Sequence, residues 1–116
     1  MSYVLLIVEP LGQRAERGRE AGGQVYQRML DFSAELEAQG VLRAVSSLGT
    51  KSQRLQRREG QTQLTDGPFA EAKEMVGGFF WIDVPTREQA LAIAARCPAA
   101  EWATVEVRGT GPCFED

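Results

Sequence analysis

Two kinds of apolar spacing alternate along the chain. Tyr3-Val4-Leu5-Leu6-Ile7-Val8 is a continuous β-prone run closed by Pro10 and Gly12, and it predicts a strand. Residues 11–23 are polar and glycine-rich, which reads as a loop with at most a short helical turn. Over 24–39 the period changes. Val25, Met29, Phe32 and Leu36 recur at helical intervals, with Tyr26, Leu30 and Ser33 on the adjoining flank, and Gly40 stands where a glycine helix stop belongs. Residues 41–48 read as a strand. The polar segments 53–58 and 61–65 flank Glu59-Gly60 and predict a hairpin. Residues 79–84 form a second strongly apolar strand. Thr86 with Gln89 then fits a capping box, ahead of a helical stripe of Ala90, Ile93, Ala94 and Cys97 that Pro98 ends. In the last strand, 102–107, Ala103, Val105 and Val107 alternate with Trp102, Thr104 and Glu106. The order β-α-β, hairpin, β-α-β predicts an α+β fold of the ferredoxin-like split βαβ type with an added β-hairpin. One domain over 1–108 and an unstructured tail over 109–116 follow.

In such a fold both helices cover one face of the sheet, so the other face should be polar. The first strand and Phe79-Phe80-Trp81-Ile82 are instead apolar at consecutive positions, which implies burial on both sides. A chain this short has nothing left to cover that second face, and a homodimer with sheets packed face to face is expected. Thr104 and Glu106 would then point into a partly polar space between the sheets, a place for a ligand.

Composition narrows the function classes. The chain has 116 residues, 43% of them hydrophobic and 25% charged, as expected of one globular domain. A net charge of −3 gives no general attraction to nucleic acid or anionic membrane. No apolar stretch reaches the length of a membrane span or a signal-peptide core, so a cytoplasmic protein is expected, with Cys97 a reduced core thiol and Cys113 an exposed one. With no histidine and two distant cysteines, no ordinary zinc site can be assembled. A carboxylate-only site for a divalent ion would have to come from Asp66, Glu71 and Glu74, whose spacing is not diagnostic. No phosphate-binding loop, dinucleotide fingerprint or Ser/His/Asp set is present, and no cofactor is expected.

The densest chemistry lies in Asp66-Gly67-Pro68-Phe69-Ala70-Glu71-Ala72-Lys73-Glu74, closed by Gly77-Gly78-Phe79. Asp-Gly followed by Pro specifies a turn, because glycine tolerates positive φ and proline fixes its own. This run resembles the signature of the YCII-related proteins, in their DGPF-domain branch. So do Tyr3-Val4-Leu5-Leu6-Ile7, Ile82-Asp83-Val84-Pro85, the segment from Glu88-Gln89-Ala90-Leu91 to Arg96-Cys97-Pro98, and Val105-Glu106-Val107-Arg108. The resemblance covers roughly 3–108. It implies a bacterial protein forming a dimeric α+β barrel of ferredoxin-like subunits, whose relatives often accompany extracytoplasmic-function sigma factors. A better understood relative removes chloride from a chlorinated hydroxyhydroquinone with a His/Asp pair. This chain has no histidine to carry that chemistry over, and it has Ala72 where the branch commonly carries Thr.

Each candidate residue has a functional and a structural reading. Asp66 is the candidate catalytic residue: a partly desolvated carboxylate there would act as a general base or bind a ligand, and otherwise it caps the turn. Glu71 and Glu74 would share one face if 70–75 formed a helical turn, either splitting acid and base roles or forming a solvated pair balanced by Lys73. Lys73 would bind an anion or pair with those carboxylates. Gly77-Gly78 admits a ligand close to the backbone or permits a bulge. Phe69, Phe79 and Trp81 form an aromatic wall or ordinary core. Glu106 completes the candidate ligand set. Lys51, Arg54, Arg57 and Arg58 on the hairpin either touch an acidic partner or nucleic acid, or guard an edge strand by charge. Three functions follow: a dimeric protein binding a small anionic or phenolic molecule, a regulatory partner of a sigma factor, or a dehydrochlorinase-like enzyme lacking the usual histidine.

Overall fold

Strand β1, Ser2–Pro10, runs through the middle of the sheet. The structure, a computed structural model, describes residues 1–69 and 71–115; Ala70 and Asp116, the last residue of the expected tail, lie outside. Burial alternates along β1: Tyr3, Leu5, Ile7 and Glu9 are buried on one face, and Val4, Leu6 and Val8 are half-buried on the other. After helix α1 (Gln13–Arg17), helix α2 (Arg19–Ala38) leads to β2, Leu42–Ser47. Next come β3 (Gln53–Arg58), β4 (Gln61–Asp66), β5 (Glu74–Asp83), helix α3 (Arg87–Arg96), a 3-10 turn (Pro98–Glu101) and β6, Thr104–Gly109. Strands β2-β5-β1-β6 form one antiparallel sheet in that order, the ferredoxin-like arrangement.

Two helices cover the face that carries Tyr3, Leu5 and Ile7. Phe32 and Leu36 of α2, and Ala90, Ile93 and Ala94 of α3, meet them and Phe80, Ile82 and Val84 in a single core. Phe32 and Phe80 pack edge to face, with ring centroids 5.4 Å apart. Completely buried Leu5, Leu36 and Ile82 each contribute about 1.5–3 kcal/mol relative to exposure.

The helix boundaries carry their expected chemistry. Thr86 accepts from the Gln89 amide while the Gln89 side chain accepts from the Thr86 amide, both at 3.2 Å. Gly40 has φ +74°; its amide reaches the Glu37 carbonyl and the Val41 amide reaches that of Leu36, which closes α2 in a Schellman motif.

Residues 11–23 differ from expectation. Apart from the break at Gly18 (φ +83°), most of this segment is helical, and Gly22 and Gly23 lie inside α2. Each glycine costs a helix about 1 kcal/mol relative to alanine, and a twenty-residue helix held at its far end by Phe32 and Leu36 absorbs that. The helical turn expected over 70–75 begins at Ala70, outside the described residues; within 71–75, Glu74 and Met75 extend β5, so no helical face there joins Glu71 to Glu74.

The hairpin β3–β4 forms a sheet of its own, exposed along both strands. Glu59 and Gly60 both have positive φ, the geometry of the tight turn that matches strand twist. The face of the main sheet away from the helices carries Val4, Leu6, Phe79 and Trp81, all half-buried, with Glu106 exposed opposite Leu6. Among the described residues, no helix is long and apolar enough to cross a membrane. Cys97 is buried and Cys113 exposed, both as free thiols, and burial pushes the Cys97 thiol pKa up.

Candidate functional site

The apolar stripe of α2 outruns its packing. Phe32 and Leu36 are buried, but one and two turns earlier Met29 and Val25 are only half-buried. The amino-terminal part of α2 stands off the sheet. Between them lies a cleft of about 880 Å³, walled by Ile7, Val25, Tyr26, Met29, Phe80 and Trp102. Its size is typical of a small-molecule site.

One wall carries a charged pair. Glu9 shares the parity of Tyr3, Leu5 and Ile7, so the strand turns its carboxylate inward, and only 5% of the residue is exposed. Arg14 of α1 meets it: Nε donates to Glu9 Oε1 at 2.8 Å, and Nη2 lies 2.5 Å from the same oxygen. The guanidinium also donates from Nη1 to the Leu48 carbonyl at 2.8 Å and from Nη2 to the Gly77 carbonyl at 3.2 Å. Among the described residues, no donor reaches Glu9 Oε2.

The glycine pair makes room for this arrangement. Pairing steps from Ile7–Gly78 to Val8–Val76, which leaves Gly77 as the extra residue of a bulge. A Cβ at Gly77 would run into the Glu9 carboxylate and Arg14, and one at Gly78 would lie 2.9 Å from the Ser46 carbonyl. Both glycines line the cleft.

More cations border it. Arg17 and Arg19 line the cleft, and neither forms an ion pair among the described residues. The guanidinium carbons of Arg17 and Arg28 each lie 5.5 Å from the centre of the Trp102 ring. Arg28 also grips Glu101 with two hydrogen bonds, of 3.0 and 2.5 Å, and these hold the Glu101 carboxyl below its ordinary pKa. Gln13 ties α1 to the same corner by donating to the Trp102 carbonyl at 2.7 Å.

The run 66–74 lies elsewhere. Asp66 ends β4, where its Oδ1 accepts from the Gln53 side chain at 2.9 Å, and the Gly67 amide donates to the Ser52 carbonyl at 2.8 Å. The Gly67–Pro68 bond is cis, and the Phe69 ring lies under Arg54 at 3.7 Å. Phe69 and Glu74 line a second, smaller cavity of about 410 Å³ with Val8, Leu11, Pro68 and Met75. Asp66, Glu71, Lys73 and Glu106 are exposed and line neither cavity. The structure therefore brings together Gly77 and Gly78, and separately Phe69 and Glu74. Among the described residues, no three His, Cys, Asp or Glu side chains gather as a metal site.

Glu9 and Arg14 escape a reading that stops the first strand at Val8. The available signal is parity: a carboxylate two residues beyond Ile7 continues the inward series. One known family model, that of the YCII-related domain, matches residues 1–110, nearly the whole chain. No curated protein matches it.

Proposed function

We propose that this chain, which belongs to the YCII-related domain family, binds a small anionic or phenolic molecule in the cleft between α2 and the sheet, and does so as a homodimer. The cleft itself carries the reading. Its walls are apolar and aromatic, a buried carboxylate faces it, and Arg17 and Arg19 border it without carboxylate partners among the described residues. A few polar groups converging on an apolar hollow are what orients a small ligand. The acid/base role expected of Asp66 does not belong to this cleft, which Asp66 does not line.

Pairing of two chains would use the face of the sheet that the helices leave bare. Val4, Leu6, Phe79 and Trp81 lie there, and the buried Trp81 Nε1 has no acceptor among the described residues. A second subunit would cover these four apolar side chains.

The test is a titration of tryptophan fluorescence with aromatic carboxylates and phenols. Gly22 lines the cleft, and a Cβ there meets nothing within 4 Å, so Gly22→Phe sets a bulky side chain at the cleft from an unobstructed Cβ. Binding by the wild type, weakened about tenfold or more in Gly22→Phe and unchanged in Asp66→Asn, is the expected result. Binding that survives Gly22→Phe and vanishes in Asp66→Asn would move the site to the base of the hairpin.

A further inference from the structure

We propose that the ligand of the cleft is a hydroxylated aromatic acid, with its hydroxyl donating to Glu9 Oε2 and its carboxylate held by Arg17 and Arg19. This rests on the reading of the cleft as the binding site and specifies the chemistry of its occupant.

The hydroxyl follows from Glu9. The residue is 95% buried by its 5% exposure, yet only Oε1 is occupied, by Arg14. Oε2 has no donor among the described residues and is not sealed inside the protein, so it stays open to hydrogen bonding from outside the chain, to water or to a ligand hydroxyl that displaces it. Glu9 lines the cleft, so a donor arriving there can meet the oxygen. An ammonium group is a poor candidate, because Arg14, Arg17 and Arg19 give this cavity an excess of positive charge over its one carboxylate. A neutral hydroxyl carries no such penalty, and its hydrogen bond to a carboxylate is short and strong.

The acid follows from the other cations. Arg14 is committed to Glu9 and two carbonyls, whereas Arg17 and Arg19 have no carboxylate partner among the described residues. Gly18 and Arg19, at the amino terminus of α2, also line the cleft, and no side chain caps this helix end. Its unpaired amides therefore add to the positive potential. The flat apolar body follows from the walls, where Tyr26, Phe80 and Trp102 offer rings and Met29 a polarizable thioether.

Calorimetric titration of the intact wild-type protein at neutral pH with three probes tests this: a hydroxynaphthoate with its two groups at opposite ends, the naphthoate without the hydroxyl, and the naphthol without the acid. The hydroxynaphthoate should bind about tenfold more tightly than either of the others. In Glu9→Gln its advantage over naphthoate should shrink to within about threefold. Equal binding of naphthoate and hydroxynaphthoate by the wild type overturns the role of Glu9 and leaves the cleft reading standing. Equal binding of naphthol and hydroxynaphthoate overturns the role of the arginines. No binding of any probe at millimolar concentration removes both this proposal and the cleft reading beneath it.

Discussion

Gly77 shows how a single missing side chain positions a site. The bulge turns its backbone toward Glu9, and its carbonyl takes a hydrogen bond from Arg14. Gly77→Ala would push a methyl group into that ion pair, and a loss of about 1–3 kcal/mol, read by chemical denaturation, is expected. Gly23→Ala is the contrast: the site is helical and open, and a gain of about 0.5–1 kcal/mol is expected. A denaturation midpoint that does not fall in Gly77→Ala would show that the pair yields at little cost. At this scale the sequence was only partly legible. The glycine pair stood out as a place of close approach, but what approaches, Glu9, lies far back in the chain on another strand. Asp66 stood out because turn chemistry is local. Its exposure and its distance from the cleft depend on how the hairpin leaves the sheet, which no local pattern encodes.

Helices and strands were more legible, because their periods reflect the faces they bury. The stripe of α3 was complete: Ala90, Ile93, Ala94 and Cys97 are all buried, behind the expected capping box. The stripe of α2 gave the helix but not the cleft, since Val25 and Met29 have the spacing of core residues yet stay half-buried, Met29 against the core and both beside the cleft. Two contacts hold this helix near the opening, Arg28 with Glu101 and Arg28 over Trp102. Arg28 keeps the Glu101 carboxyl below its ordinary pKa, so what the pair adds to stability is complete above the ordinary carboxylate range. It is lost as pH falls through the depressed value. The melting temperature of wild type minus that of Glu101→Gln should accordingly be small and positive near neutrality and fall toward zero in acid. A difference independent of pH would assign the effect of the substitution to something other than this pair.

For the molecule as a whole, the sequence already argued for pairing, since Phe79 and Trp81 are too apolar for a solvated face. The radius of gyration, 16.1 Å, exceeds the roughly 13 Å of a compact chain of this length. The exposed hairpin forms a sheet of its own and adds to the extent of the molecule. If sheets pair through the bare face, Leu6→Lys would bury two charges at the interface and should yield monomers in sedimentation equilibrium at micromolar concentration, with the helical signal intact. A wild-type monomer under those conditions removes the dimer. The Arg14 guanidinium has a consequence of another kind. Its acceptors lie 5, 34 and 63 residues along the chain, so all of them are in place only after β1, β2 and β5 have come together. Contacts of such sequence separation close large loops, at an entropic cost that slows folding. The corner that faces the cleft therefore cannot be complete before the central pairing of β1 with β5, and a chain halted short of that pairing would have no site.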